Sequence, residues 1–367
     1  MNLITKLFKN KNKPIQTHEE FWNWFNKNQR RFFKVIKNKE DINEMFFNEL
    51  SSQLNQLRDD IFYVAGMHNE NTAELILTAD GDINNMAFIE DLILSGPKLD
   101  NWKFTNLKPA LNIQDANIEL AGYKFNEDSL YFYIDDPGKN IEEINIVIMH
   151  KEYTSKNKSQ ISNGTFIFLD NYIGELELVI QADHVKVIGF DEKNTDIKPI
   201  NQLKSYLQER HKKFIEKYQD LTFSTEDDQF SSFTMKNKED FEMLAIINTS
   251  ILNQVKNPAY PWVSKFKIDY NGENNNGMPD SDTYEFMDRI EDDLMTELTE
   301  EAGYINIGRT TGVNRRTVYF VCKDFFKPIR IMSKVSIKHS KDFNTSNTVY
   351  IDKYWETFDK YADKSTN

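Results

Sequence analysis

PWVSKFKIDYNGENNNGMPDSDTYEFMDRIEDDLMTELTEEAGYINIGRTTGVNRRTVYFVCK, residues 261–323, is the stretch whose reading decides the fold. Val263, Phe266 and Ile268 stand among Ser264, Lys265 and Lys267 in a run of β-formers, so a strand buries one face. Asn271 to Gly277 is turn chemistry, and Pro279 has no N–H for a ladder, so the strand stops there. Asp280 or Ser281 caps the helix that follows, and Asp282 and Glu285 suit the positive end of its dipole. Tyr284, Met287, Ile290 or Glu291, Leu294 and Leu298 step by three and four along one side, with Asp288, Glu291, Asp292 and Glu297 assigned to other faces. Gly303 closes the helix, and Tyr304, Ile305 and Ile307 open a strand. Thr311 to Asn314 turn, and Thr317 to Val321 return. A short helix at Phe325 to Met332 and a strand at Lys334 to Lys338 are expected next. The order predicts a β-α-β-β, ferredoxin-like plan with its helix on one sheet face.

Several of these residues carry a resemblance. Gly277-Met278-Pro279, the acidic helix with Glu291-Asp292, the hairpin of Thr310, Gly312, Arg315 and Arg316, the Tyr319-Phe320-Val321 strand, and Asp352 to Trp355 resemble the bacterial family called domain of unknown function 695. The resemblance covers about residues 260–360. It implies a layout like the small ferredoxin-like regulator of ribonuclease E, with which such domains can share a chain. It brings no activity with it.

Outward from this stretch, 367 residues suffice for two domains, placed at 1–220 and 221–367. Thr17 and Glu20 form a capping box for a basic aromatic helix that includes Phe21, Trp24, Phe25, Phe32, Phe33 and Ile36. Two readings of it stand: docking by the aromatic stripe, with Lys27, Arg30, Arg31, Lys34 and Lys37 outward, or a nucleic-acid or membrane contact. Helices are expected at Ile42 to Leu57, Asn84 to Ser95 and Thr165 to Ile173. Strands are expected at Ile61 to Ala65, Ala73 to Thr78, Trp102 to Leu107, Leu130 to Ile134, Ile144 to Met149 and His184 to Phe190. Ile200 to Tyr218 reads as a bridging helix with Leu203, Leu207, His211 and Ile215 at four-residue spacing, and Phe241 to Val255 as a further helix. The fold class is α+β: two domains of antiparallel or mixed sheets covered by helices.

The net charge is −13, yet residues 1–40 hold ten basic against three acidic side chains, which leaves −20 for the rest. An acidic body disfavours phosphate-backbone partners outside the N-terminal helix and suits a protein with a basic surface. One cysteine, Cys322, excludes an intramolecular disulfide and agrees with a cytoplasmic setting. No apolar run of about 18 residues predicts a membrane span. Oligomeric state is not readable.

The six histidines show no metal-ligating spacing, and phosphate-loop, dinucleotide and nucleophile-elbow motifs are missing, so no catalytic residue, metal or cofactor is expected. Two functions from different classes remain. The first is a non-catalytic regulatory protein whose acidic helix, through Asp288, Glu291 and Asp292, meets a basic partner. The second is an enzyme or small anionic-ligand binder with Arg309, Arg315 and Arg316 lining a cleft between domains.

Overall fold

The computed structural model describes residues 14–362 apart from 136–137, 139, 221–222, 224, 227, 237–240 and 254–257. The chain divides into two units, Met1–Leu111 with Leu169–Glu177, and Asn112–Phe168 with Leu178–Asn367. Helices and mixed or antiparallel sheets make the class α+β.

The first unit opens with α1 (His18–Lys37) and α2 (Asn48–Leu54), followed by β1 (Phe62–Asn69), β2 (Thr72–Thr78), α3 (Ile83–Leu94) and β3 (Trp102–Asn106). Thr17 Oγ1 accepts from the Glu20 amide at 3.2 Å, while the Glu20 carboxylate reaches back to the Gln16 amide at 2.8 Å, one residue beyond the expected box. The aromatic stripe docks: Phe21, Trp22, Phe25 and Phe32 are buried, and the Trp22 indole donates to Leu92 O at 2.8 Å. Trp22 holds a fully buried place that periodicity had given to Trp24, which is half-buried. Lys27, Arg30, Arg31, Lys34 and Lys37 are exposed, with Arg31 on Glu49 at 2.6 Å. The basic residues before position 14 lie outside the described residues. β1 and β2 form an antiparallel hairpin, and α3 carries the chain to β3, parallel to β2.

The second unit repeats that path. After β4 (Ile118–Leu120) and β5 (Tyr123–Phe125), an antiparallel hairpin of β6 (Leu130–Asp135) and β7 (Asn145–His150) leads through α4 (Lys158–Ile173) and α5 (Glu175–Gln181), whose residues 169–177 count with the first unit, to β8 (His184–Gly189), parallel to β7. β9 (Lys198–Pro199) completes the order β8-β7-β6-β9, and α6 (Leu203–Tyr218) follows.

The remainder builds one six-stranded antiparallel sheet from β10 (Phe230–Lys236), β11 (Glu242–Asn248), β12 (Trp262–Asp269), β13 (Tyr304–Gly312), β14 (Arg315–Cys322) and β15 (Asn344–Ile351), in the order β10-β11-β13-β14-β12-β15. α7 (Thr249–Asn253) leaves β11, α8 (Ser281–Glu297) joins β12 to β13, and α9 (Phe326–His339) joins β14 to β15. The path from β12 to β15 is β-α-β-β-α-β. Asp280 caps α8, its Oδ1 accepting from the Thr283 amide at 2.8 Å. Met287, Ile290 and Leu294 bury the expected stripe. On the opposite sheet face, Val263, Ile305, Val321 and Ile247 pack beneath Trp355, Phe358 and Tyr361.

Three local expectations are corrected. The strand expected at Lys334 to Lys338 lies inside α9, because Ile329, Met332 and Val335 form a helical stripe that the sheet buries. The helix expected at Phe241 to Val255 is β11 followed by the short α7; alternating Ala245 and Ile247 turn into the core while β10 and β13 take the strand's two edges. Val255 itself lies outside the described residues. Finally, β13 runs through Gly312, so the turn is only Val313-Asn314, both with positive φ (55° and 60°) as a two-residue hairpin requires.

Candidate functional site

Four of the six predicted site residues meet in one network. Arg316, with no side-chain exposure, gives its Nη1 to Asp288 Oδ1 at 2.6 Å and to Glu291 Oε1 at 2.7 Å, and its Nε to Thr311 Oγ1 at 3.2 Å. Its guanidinium lies 4.4 Å from the Tyr284 ring centre. Arg309 gives Nη1 to Glu291 Oε2 at 2.9 Å and Nη2 to the Tyr284 hydroxyl at 2.8 Å. Burial pushes the Glu291 carboxyl above its ordinary range, against the pull of Arg309 and then Arg316. Arg315 stands apart on Asp269 at 2.6 Å, and Asp292 faces solvent.

A β-bulge explains how Arg309 joins. Residues 305 and 307 of β13 face the Trp355 side, and strict alternation would send residue 309 there too. The register slips between Asn306 and Gly308, so Arg309 lies opposite Val318, on the side of α8. Gly308 has φ 119°, and a Cβ there would sit 2.0 Å from Ile246 O. The network thus clamps helix to sheet with two guanidinium groups against two carboxylates. The Gly277-Met278-Pro279 motif is also a docking device: Gly277 O accepts from the Asn314 amide and the Tyr270 hydroxyl, both at 2.9 Å.

The second unit also contains a cavity of about 330 Å³. α6 supplies Arg210, His211, Phe214, Ile215 and Tyr218; Ile144 and Ile180 form another wall; Trp262, Ile351, Lys353 and Lys323 come from the ends of the large sheet. Lys353 Nζ is bound by Asp183 Oδ2 at 2.7 Å and Glu142 O at 3.1 Å. The Glu142 carboxylate accepts from Lys217 at 2.6 Å and the Tyr218 hydroxyl at 3.0 Å. Burial alone would raise the Glu142 carboxyl, but these bonds bring it below its ordinary range. His211 is lowered, by burial first and then by Lys353. His211 and Ile215 belong to the four-residue stripe visible in the sequence, whereas nothing in the sequence paired that stripe with Trp262, Lys323 or Lys353.

In the first unit the fully buried Glu175 was not anticipated either. Its carboxylate accepts from Thr78 Oγ1 at 2.6 Å and from the amides of Ala79 at 2.9 Å and Lys108 at 3.0 Å. Lys108 Nζ in turn bridges Asp170 at 3.1 Å and Asp80 at 3.3 Å. These bonds tie the loops after β2 and β3 to the end of α4. Among the described residues, no group of three or more His, Cys, Asp or Glu side chains is placed to hold a metal ion, and no helix is long and apolar enough to cross a membrane.

The sheet, its two helices and the buried charge clamp define an α+β domain in the C-terminal part of the chain. Residues 231–361 match the profile described as "Family of unknown function (DUF695)", the family that the motifs of this part resemble. No curated protein and no solved structure matches the chain.

Proposed function

We propose that the protein is a non-catalytic binding module that takes a small molecule in the cavity lined by α6 and the end of the large sheet. The observation that carries this reading is the cavity's make-up. One part of its wall is aliphatic and aromatic, from Ile144, Ile180, Phe214, Ile215, Trp262 and Ile351, the rest carries charged and polar side chains, and no Ser, Thr or Cys stands among its described lining residues. We also read the β12-to-β15 path as ferredoxin-like, and place a functional boundary near residue 220, between parts 1–220 and 221–367.

A thermal-shift screen against a metabolite panel tests the reading, because a ligand that binds only the folded state raises its melting temperature. Ala259 is in the cavity wall, so Ala259→Trp fills the space from a small side chain. Hits in the wild type that vanish in this variant support the assignment. A panel without hits, or hits that survive the filling, removes it.

A second reading keeps the acidic helix as a contact surface for a basic protein. It draws support from Asp282, Glu285 and Asp292, which are exposed on α8 beside the exposed Met295. The clamp residues contribute less to such a surface, since Glu291 is engaged by Arg309 and Arg316 and Asp288 by Arg316. Of the predicted arginines, Arg315 alone is exposed, and it is paired with Asp269. Capture from extract that is unchanged by Asp292→Lys with Glu285→Lys would set this second reading aside.

A further inference from the structure

We infer that the ligand of this cavity is a small monocarboxylate with an apolar body, held at its charged end by Arg210 and Lys323. The inference rests on the binding role proposed above and adds the chemistry of what is bound.

The first argument is charge pairing. Among the charged side chains lining the cavity, Lys353 is matched by Asp183 at 2.7 Å and Glu142 by Lys217 at 2.6 Å. Arg210 and Lys323 are left. Arg210 spends one Nη2 bond on Ile141 O at 2.9 Å, and Lys323 Nζ lies 5.3 Å from the Tyr260 ring centre. Neither has a carboxylate within ion-pairing distance among the described residues, although Arg210 stands near enough to Glu142 to help hold its carboxyl down. Two cations with no ion pair of their own bordering the cavity, in a chain of net charge −13, favour an anion there. A guanidinium fork suits a carboxylate's two oxygens.

The second argument is size and polarity. A volume of about 330 Å³ lies at the lower end of the range of small-molecule sites. Phe214, Ile215, Trp262 and Ile351 give that body an apolar wall to lie against. The nearby Glu142 carboxylate disfavours a second negative charge on the ligand.

The test is titration calorimetry on the full chain with octanoate and 3-phenylpropionate, each beside its neutral amide. The aliphatic and aromatic arms show which body the walls prefer. Expected is binding of at least one acid, at least tenfold weaker binding of its amide, and at least tenfold loss for the acid alone in Arg210→Gln/Lys323→Gln. Circular dichroism confirms that the variant is folded. Equal binding of acid and amide overturns the ligand class while leaving the cavity as a binding site. Acid binding undiminished in the double variant overturns the two anchors. If neither acid binds while panel compounds still respond to Ala259→Trp, the monocarboxylate falls and the binding role stands; if neither acid binds and no panel compound responds, both fall.

Discussion

Arg316→Met is the sharpest perturbation of the clamp. It leaves Glu291, with only 6% of its side chain exposed, on Arg309 alone, while Asp288, 43% exposed, can turn to water. Removing one partner of a buried ion pair costs about 3–5 kcal/mol, and the surviving Arg309 bond places this case near 3 kcal/mol. For a unit of this size that is roughly 6–12 °C in melting temperature. The sign with pH follows. Burial already holds the Glu291 carboxyl above its ordinary range, and losing Arg316 lifts it further. The native state then binds that proton more tightly than the unfolded chain, so the variant loses stability as pH rises through the raised value and regains it below. Urea denaturation at pH 5 and pH 8 should show a wider gap from wild type at pH 8. Glu291→Met/Arg316→Met should recover more than half of the single-variant loss, because an apolar pair carries no stranded charge. A single variant within about 0.5 kcal/mol of wild type, or a double variant that loses the sum of both changes, would refute the clamp.

Three further outcomes are expected. Gly308→Ala must hold a positive φ and meet Ile246 O, so it should cost more than about 2 kcal/mol in urea melts, and a neutral result would show that the bulge can slip. Burial and Lys353 keep the His211 imidazole less basic than usual; a bound anion favours its protonated form, so the cavity should bind acids more tightly at pH 6 than at pH 8, and a pH-independent Kd would exclude His211 from the site. Burial lifts Asp170 to about 6 against the pull of Lys108. Its folded pKa exceeds the unfolded one, so wild type should lose up to about 3 kcal/mol between pH 4 and pH 6 relative to Asp170→Asn, compared by denaturation midpoints; parallel pH profiles would contradict that burial effect.

The difference between α8 and β13 shows where sequence reading stops. In α8 the cap, the stripe and the ambiguous pair Ile290 and Glu291 were all visible, because a helix repeats every 3.6 residues and a carboxylate on that stripe announces itself. The Arg309 side of the clamp was hidden, since a one-residue bulge reverses strand phase and Gly308 is merely a glycine until Ile246 O stands beside its Cα. β11 hides among helices in the sequence because Met243 to Ile247 is a short apolar run, for which periodicity alone does not separate strand from buried helix.

Local chemistry by itself determined the α+β class, the capped aromatic helix, the acidic α8 and the motifs of the C-terminal part, all of which depend on neighbours within a few residues. Tertiary structure alone decided that Glu291 meets Arg316 and that Glu142 and Lys353 border one cavity with Trp262. Those partners are far apart along the chain, and only the register of paired strands and the packing of helices upon them brings the charges together.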